Sequence, residues 1–112
     1  MYKGHFKNGK KHGRGKIFYR DGSTFEGEWR HGSRKAGPGA LALASGDVFV
    51  GLFDAHGLYD GPQCVLTLAN GDRYQGGFAK GAKHGTGKMK YSASGDFYEG
   101  QWRKGVKVKL QM

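Results

Sequence analysis

His12 and His84 stand in matching tetrapeptides, "KKHG" and "AKHG", whereas His31 and His56 fall at unrelated places. Paired imidazoles suit metal binding or proton transfer, but no histidine lies at ligand spacing from another histidine or from Cys64. Their recurrence is read as loop shaping within a repeat, and no metal site is expected. "GRGKIF" and "GTGKMK" invite comparison with phosphate-binding loops. Neither has the Gly-x-x-x-x-Gly-Lys-Ser/Thr spacing, and neither leads into a helix whose N-terminus would hold a phosphate. Ser23, Ser45, Ser92 and Ser94 are read as turn residues, as are most of Asp21, Asp47, Asp60, Asp72 and Asp96. With no nucleophile, base and carboxylate in any recognisable constellation, neither a catalytic residue nor a cofactor is expected, and the chain is not read as an enzyme.

Charge offers a different chemistry. The 112 residues carry a formal net charge of +10, which favours acidic partners. It is unevenly spread: +6 over residues 1–24, 0 over 25–48, −2 over 49–73, +3 over 74–97 and +3 over 98–112. Lys7, Lys10, Lys11 and Arg14 cluster near one loop, Lys80 and Lys83 near another, Arg103 and Lys104 near a third. Near an anionic membrane each such cation contributes ~1 kcal/mol, screened by salt. The simpler reading is solvated loop charge that discourages edge-to-edge pairing, and it is preferred. Cys64 is the only cysteine, which excludes an internal disulfide and fits a reducing compartment. No apolar run approaches the ~20 residues of a membrane-spanning helix, so a soluble, cytoplasmic protein is expected.

The elements that would position these groups are written in a repeat. Aromatic, glycine and aromatic recur at spacings of two and four: Tyr2/Gly4/Phe6, Phe25/Gly27/Trp29, Phe49/Gly51/Phe53, Tyr74/Gly76/Phe78 and Tyr98/Gly100/Trp102. Their starts lie 23, 24, 25 and 24 residues apart. That spacing places each trio on one face of a strand, whereas a helix would scatter it. Gly13, Gly15, Ile17 and Tyr19 then alternate with Arg14, Lys16 and Arg20, with Phe18 on the polar side. If Asn8–Gly13 is a loop, Tyr2 pairs with Tyr19, Gly4 with Ile17 and Phe6 with Gly15. Each glycine then faces a large side chain across the ladder, and a ring lies over bare backbone. "RDGS", "ASGD" and "ANGD" read as hairpin turns. A three-residue loop with left-handed glycine is expected to pair Tyr19 with Phe25 and keep the apolar face continuous. The predicted fold is all-β: an elongated, single-layer antiparallel meander.

The pattern Tyr-x-Gly-x-Trp/Phe-x-x-Gly-x-x-x-Gly-x-Gly, followed by an Asp-Gly, Ser-Gly or Asn-Gly turn, resembles the MORN (membrane occupation and recognition nexus) repeat. It divides residues 1–112 into one repeat domain with units 2–24, 25–48, 49–73 and 74–97 and a partial unit 98–112. The second unit has an extra residue before "GPG". The third is degenerate, with an insertion in "FDAHGLYDGPQC" and Gln63 where the second glycine belongs. The resemblance implies a non-catalytic module of the kind found in cytoskeletal and ciliary scaffolds and in membrane-associated proteins.

The function expected is therefore protein interaction. A sheet one layer thick should leave its ring-bearing face incompletely covered, and such a face usually marks a contact. Tyr2, Phe6, Tyr19, Phe25, Trp29 and Phe49 form one half of this aromatic groove. Phe53, Tyr74, Phe78, Tyr91, Tyr98 and Trp102 form the other. Trp29 and Trp102 are the expected anchors. The occupant would be a partner polypeptide or a second copy of the chain. The alternative is binding to acidic phospholipid through the basic loops, and nucleic acid ranks third because the rings fall on structural positions of the repeat. Val106, Val108, Leu110 and Met112 alternate with Lys107 and Lys109, predicting a last amphipathic strand whose free edge promotes self-association.

Overall fold

The computed structural model describes residues 1–108. Among them there is no helix. The elements are β1 (Tyr2–Lys7), β2 (Lys10–Phe18), β3 (Thr24–Arg30), β4 (Ser33–Arg34), β5 (Gly37–Ala42), β6 (Val48–Phe53), β7 (Tyr59–Thr67), β8 (Arg73–Ala79), β9 (Ala82–Lys90), β10 (Phe97–Arg103) and β11 (Val106–Lys107). They form one antiparallel sheet in the order β1-β2-β3-β5-β6-β7-β8-β9-β10-β11, with β4 pairing back onto β3. The molecule measures 60 × 25 × 16 Å, the shape of the elongated meander that the repeat spacing predicts.

Register departs from expectation at the first hairpin, and turn chemistry explains why. Asn8 and Gly9 both take positive φ, 52° and 76°, which makes a two-residue turn of the type that matches strand twist. Residues 8–13 are therefore not a loop: β2 starts at Lys10. Tyr2 pairs with Ile17 and Gly4 with Gly15, with an irregularity between Gly4 and Phe6. The same turn recurs at His31-Gly32, Lys80-Gly81 and Lys104-Gly105, where even histidine and lysine adopt φ of 50–51°. On the opposite edge, Gly22 is left-handed, as expected, at φ 96°. There Tyr19 donates its N–H to the Ser23 carbonyl and Ile17, not Tyr19, faces Phe25. This shift of two residues leaves the side chains of β2 and β3 on their expected faces.

Both long edges are stitched between successive hairpins. The amides of Gly32, Gly81 and Gly105 donate to the carbonyls of Lys11, Tyr59 and Lys83. Asp47 accepts from the Ala69 amide and Asp72 from the Ser92 amide, both at 2.8 Å. The turn aspartates thus tie one hairpin to the next as well as shaping their own. At the far end, β11 pairs with β10 through Trp102–Lys107 and Arg103–Val106. Leu110 and Met112 of the expected last strand lie outside the described residues.

Candidate functional site

The glycines form a row across the sheet. Gly4 pairs with Gly15, Gly15 with Gly27, Gly39 with Gly51, Gly76 with Gly87 and Gly87 with Gly100. Glycine thus faces glycine, not the large cross-strand side chain expected from sequence. Above Gly4, Gly27, Gly51, Gly76 and Gly100 stands the ring two residues earlier on the same strand. A Cβ on Gly27 would lie 2.5 Å from the Phe25 ring tip, and one on Gly100 2.7 Å from the Tyr98 hydroxyl. Tyr2 and Tyr74 reach further, so that their phenol ends occupy the Cβ places of Gly15 and Gly87 on the next strand. Those hydroxyls donate to carbonyls three residues on: Tyr2 to His5, Tyr74 to Gly77 and Tyr98 to Gln101, at 2.8–3.1 Å.

On this bare floor the rings make one unbroken chain of edge-to-face contacts. It runs Phe6–Tyr2–Trp29–Phe25–Phe53–Phe49 with centroids 5.1–5.9 Å apart. It continues Phe49–Phe78–Tyr74–Trp102–Tyr98 at 5.1–5.4 Å. Each such pair contributes ~0.5–1.5 kcal/mol beyond the area it buries, so the row is the core of a sheet that has no second layer.

The row also has a lid. The second residue after each two-residue turn is a cation, and each cation lies over two rings. Lys11 Nζ is 5.5 and 5.7 Å from Tyr2 and Trp29, and Lys83 Nζ is 5.6 Å from both Tyr74 and Trp102. Lys107 covers Tyr91 and Tyr98 at 5.1 Å. Arg34, on the short strand β4, sits 3.7 Å above Phe25 and 5.5 Å from Phe53. In the β6–β7 hairpin the same place belongs to Tyr59, stacked on Phe49 at 3.8 Å. This Gly-x-Lys/Arg recurrence is readable in "GKK", "GSR", "GAK" and "GVK". Sequence reasoning groups Lys11 and Lys83 with the outward loop charges and passes over Arg34.

These contacts correct the picture of an open aromatic groove. Phe25, Trp29, Phe49, Phe53, Tyr74, Phe78 and Trp102 are buried, between 0 and 6% exposed. Tyr2, Tyr91 and Tyr98 are half-buried, and Phe6 and Tyr19 are exposed. Trp29 and Trp102 spend their indole N–H groups on the carbonyls of Gly15 and Gly87, at 2.9 and 3.0 Å. As the chain stands they are core residues and not presented anchors. The row is open toward its ends and roofed by cations between them. Burial pushes the Tyr74 phenol up to about 12 and raises the Tyr59 phenol.

Cys64, not Gln63, takes the glycine place in the β6–β7 hairpin. It pairs with Gly76, is fully buried, and its Sγ donates to the Asp60 carbonyl at 3.1 Å. Gln63 falls in the irregularity between Gly61 and Cys64. Burial raises the Cys64 thiol, which makes it a poor nucleophile.

The basic loops line one long edge. Lys7, Lys10, Lys80, Arg103 and Lys104 are exposed there. Arg14 is instead paired with Glu28 at 3.4 Å, the one salt bridge among the described residues. A shallow cavity of about 500 Å³ on this edge is lined by Lys7, His12, Glu28, Trp29, Arg30 and Lys35, among others. The His12 ring lies 5.9 Å from His31. Among the described residues no three His, Cys, Asp or Glu side chains gather as a metal site would need.

The glycine row, the ring chain and the recurring turns are properties of a repeat, and a family model describes it. The MORN repeat model matches residues 2–24, 25–48, 74–95 and 98–108. The chain belongs to the MORN repeat family. MORN repeats are non-enzymatic modules that generally serve interaction with proteins or membranes. None of the four matched stretches includes residues 49–73, yet this MORN sheet continues through them without a break. No described helix is long and apolar enough to cross a membrane.

Proposed function

We propose that this chain is a non-catalytic interaction module whose ring-bearing face receives a partner polypeptide. The observation that carries this reading is the roof of cations over the aromatic row. Lys11, Arg34, Lys83 and Lys107 are held over rings and not over carboxylates. A partner's acidic side chain engages such a cation without first breaking an ion pair, and its apolar side chains then meet the rings beneath. Half-buried Tyr2, Tyr91 and Tyr98, with exposed Phe6 and Tyr19, offer the first apolar contacts, and the buried rings join as the roof shifts. Reversing Lys11 and Lys83 to Glu should abolish capture of a partner, whereas reversing Lys10 and Lys104 should not. The opposite pattern would refute this reading.

A second reading rests on the exposed basic edge: adsorption to acidic phospholipid through Lys7, Lys10, Lys80, Arg103 and Lys104. Salt separates the two, since the Debye length falls to ~3 Å at 1 M ionic strength. Headgroup adsorption should vanish by about 0.5 M salt, and docking seated on rings should persist. Wild-type protein that fails to float with acidic liposomes at low salt would rule the second reading out.

A further inference from the structure

The opposite face of the sheet carries a pattern that the ring-bearing face does not. Its side chains form rows across the strands, and one row is fixed residue by residue by the register. It begins Lys16, Glu26, Ala40, Val50, each directly opposite the next. It continues from Val50 to Val65, Gln75, Lys88 and Glu99. The charges run plus, minus, apolar, apolar, then apolar, polar, plus, minus. The neighbouring row begins Phe18, Thr24, Ala42, Val48 and continues Thr67, Arg73, Lys90, Phe97. At the centre the strand β6 presents Val48, Val50 and Leu52, which are 37, 51 and 39% exposed. The corresponding places on β3 are Thr24, Glu26 and Glu28, so the aliphatic patch is particular to the middle of the chain.

The geometry points to a second copy of this chain docked face to face on this patch, by a two-fold axis parallel to the strands and passing between β6 and β7. That operation turns the order of each row around and lays it on itself. Val50 then meets Val65 of the other copy and Ala40 meets Gln75. Glu26 meets Lys88, and Lys16 meets Glu99. In the neighbouring row Val48 meets Thr67, and Phe18 meets Phe97, which is 60% exposed. Isologous contact of this kind needs a surface that is its own complement, and the charge order supplies it. A two-fold along the sheet's long axis would instead set Lys16 on Lys16 and Glu26 on Glu26. The charge complementarity lies in the first row, where Lys16 and Lys88 balance Glu26 and Glu99; in the neighbouring row Arg73 and Lys90 meet Ala42 and Thr24.

Two aligned sheets pack about 10 Å apart with strands within about 30° of each other, and extents of 60 × 25 Å give room for the ~800 Å² per partner of a stable interface. The ring-bearing faces then point outward from the pair, so that the dimer is bivalent for whatever occupies them.

The test is sedimentation of the wild-type chain and four variants at low ionic strength across a range of concentrations, with thermal melts to confirm folding. The wild-type chain should dimerise. Lys88→Glu and Glu26→Lys should each weaken the dimer by about tenfold, since each sets like charges together twice. The double variant, Glu26→Lys with Lys88→Glu, should recover most of the loss. Within one chain the double variant is the worst case, because its new lysine stands beside Lys16 and its new glutamate beside Glu99. Recovery can therefore arise only between copies. Val50→Lys at the centre should leave monomer. A wild-type chain that stays monomeric at its highest soluble concentration would overturn the proposal. So would a dimer in which the double variant is no tighter than the single reversals.

Discussion

The β8–β9 and β6–β7 hairpins occupy equivalent places in the meander and solve the same packing problem differently. In β8–β9 the first ring is Tyr74, whose hydroxyl crosses onto the next strand and stands where a Cβ of Gly87 would be. In β6–β7 the first ring is Phe49, one hydroxyl shorter, and the residue equivalent to Gly87 is Cys64. A Cβ on Gly51 would meet the Phe49 tip at 2.8 Å and Cys64 Sγ at 2.7 Å. Phe49 and Cys64 together thus fill the volume that Tyr74 fills alone. The roof changes with the floor: Lys83 lies above Tyr74, and Tyr59 stacks on Phe49. What looks degenerate in the sequence is a compensated exchange, and Gly87 is required by the tyrosine that reaches over it.

The largest effect is expected at Gly87. Gly87→Cys copies the β6–β7 solution without its shorter ring, and should destabilise the sheet by ~2–3 kcal/mol, as overpacking does. Chemical denaturation measures it, and an unchanged midpoint would show that the Tyr74 hydroxyl lies elsewhere. The converse variant, Phe49→Tyr, should cost ~1–2 kcal/mol because the new hydroxyl drives into Cys64. Adding Cys64→Gly should return most of that loss, and a double-mutant cycle reads the coupling directly.

Tyr74 also carries a pH signature that Phe49 cannot. Its phenol is raised from 10.0 to about 12, first by burial and then by the nearby Cys64. Below pH 10 the group is neutral in both folded and unfolded chains, and its contribution to stability is complete. Between pH 10 and about 12 only the unfolded chain gives up the proton, so stability falls as pH rises. Tyr74→Phe should flatten that alkaline decline in thermal melts, although it also removes the hydrogen bond to the Gly77 carbonyl. A smaller effect is expected at the roof. Arg34→Ala should cost ~1 kcal/mol through lost cation–π contact with Phe25, and Arg34→Lys should restore only part of it, since an ammonium does not stack.

The fold is legible in the sequence because its signals recur in register: a trio spacing of two and four cannot be met by a helix, and glycine-containing turns punctuate it from strand to strand. The faces are legible for the same reason, since a register shift of two residues preserves them. What sequence reasoning misses has physical causes. Asn8-Gly9 disappears into a longer loop because the basic run "KNGKKHG" looks like solvated polar chain, although Asn-Gly is the favoured pair for a two-residue turn. The closed state of the row is hidden when a cation is assigned to water, whereas the aliphatic stem of a lysine or arginine can lie along rings. Gln63 stands in for Cys64 because an irregularity between Gly61 and Cys64 shifts the count by one, which no spacing rule reveals.

The aromatic row is closed by its own chain, through the cations two residues after Gly9, Gly32, Gly81 and Gly105 and through Tyr59 in the β6–β7 hairpin. Trp29 and Trp102, the only tryptophans, lie in that row at 5 and 6% exposure, beneath Lys11 and Lys83. Acrylamide quenching of tryptophan emission therefore reports on that closure. Quenching should be weak in the folded wild-type chain, and stronger in a Lys11→Ala, Lys83→Ala variant that keeps its sheet by circular dichroism. Strong quenching of the folded wild-type chain, or no change in the variant, would contradict it.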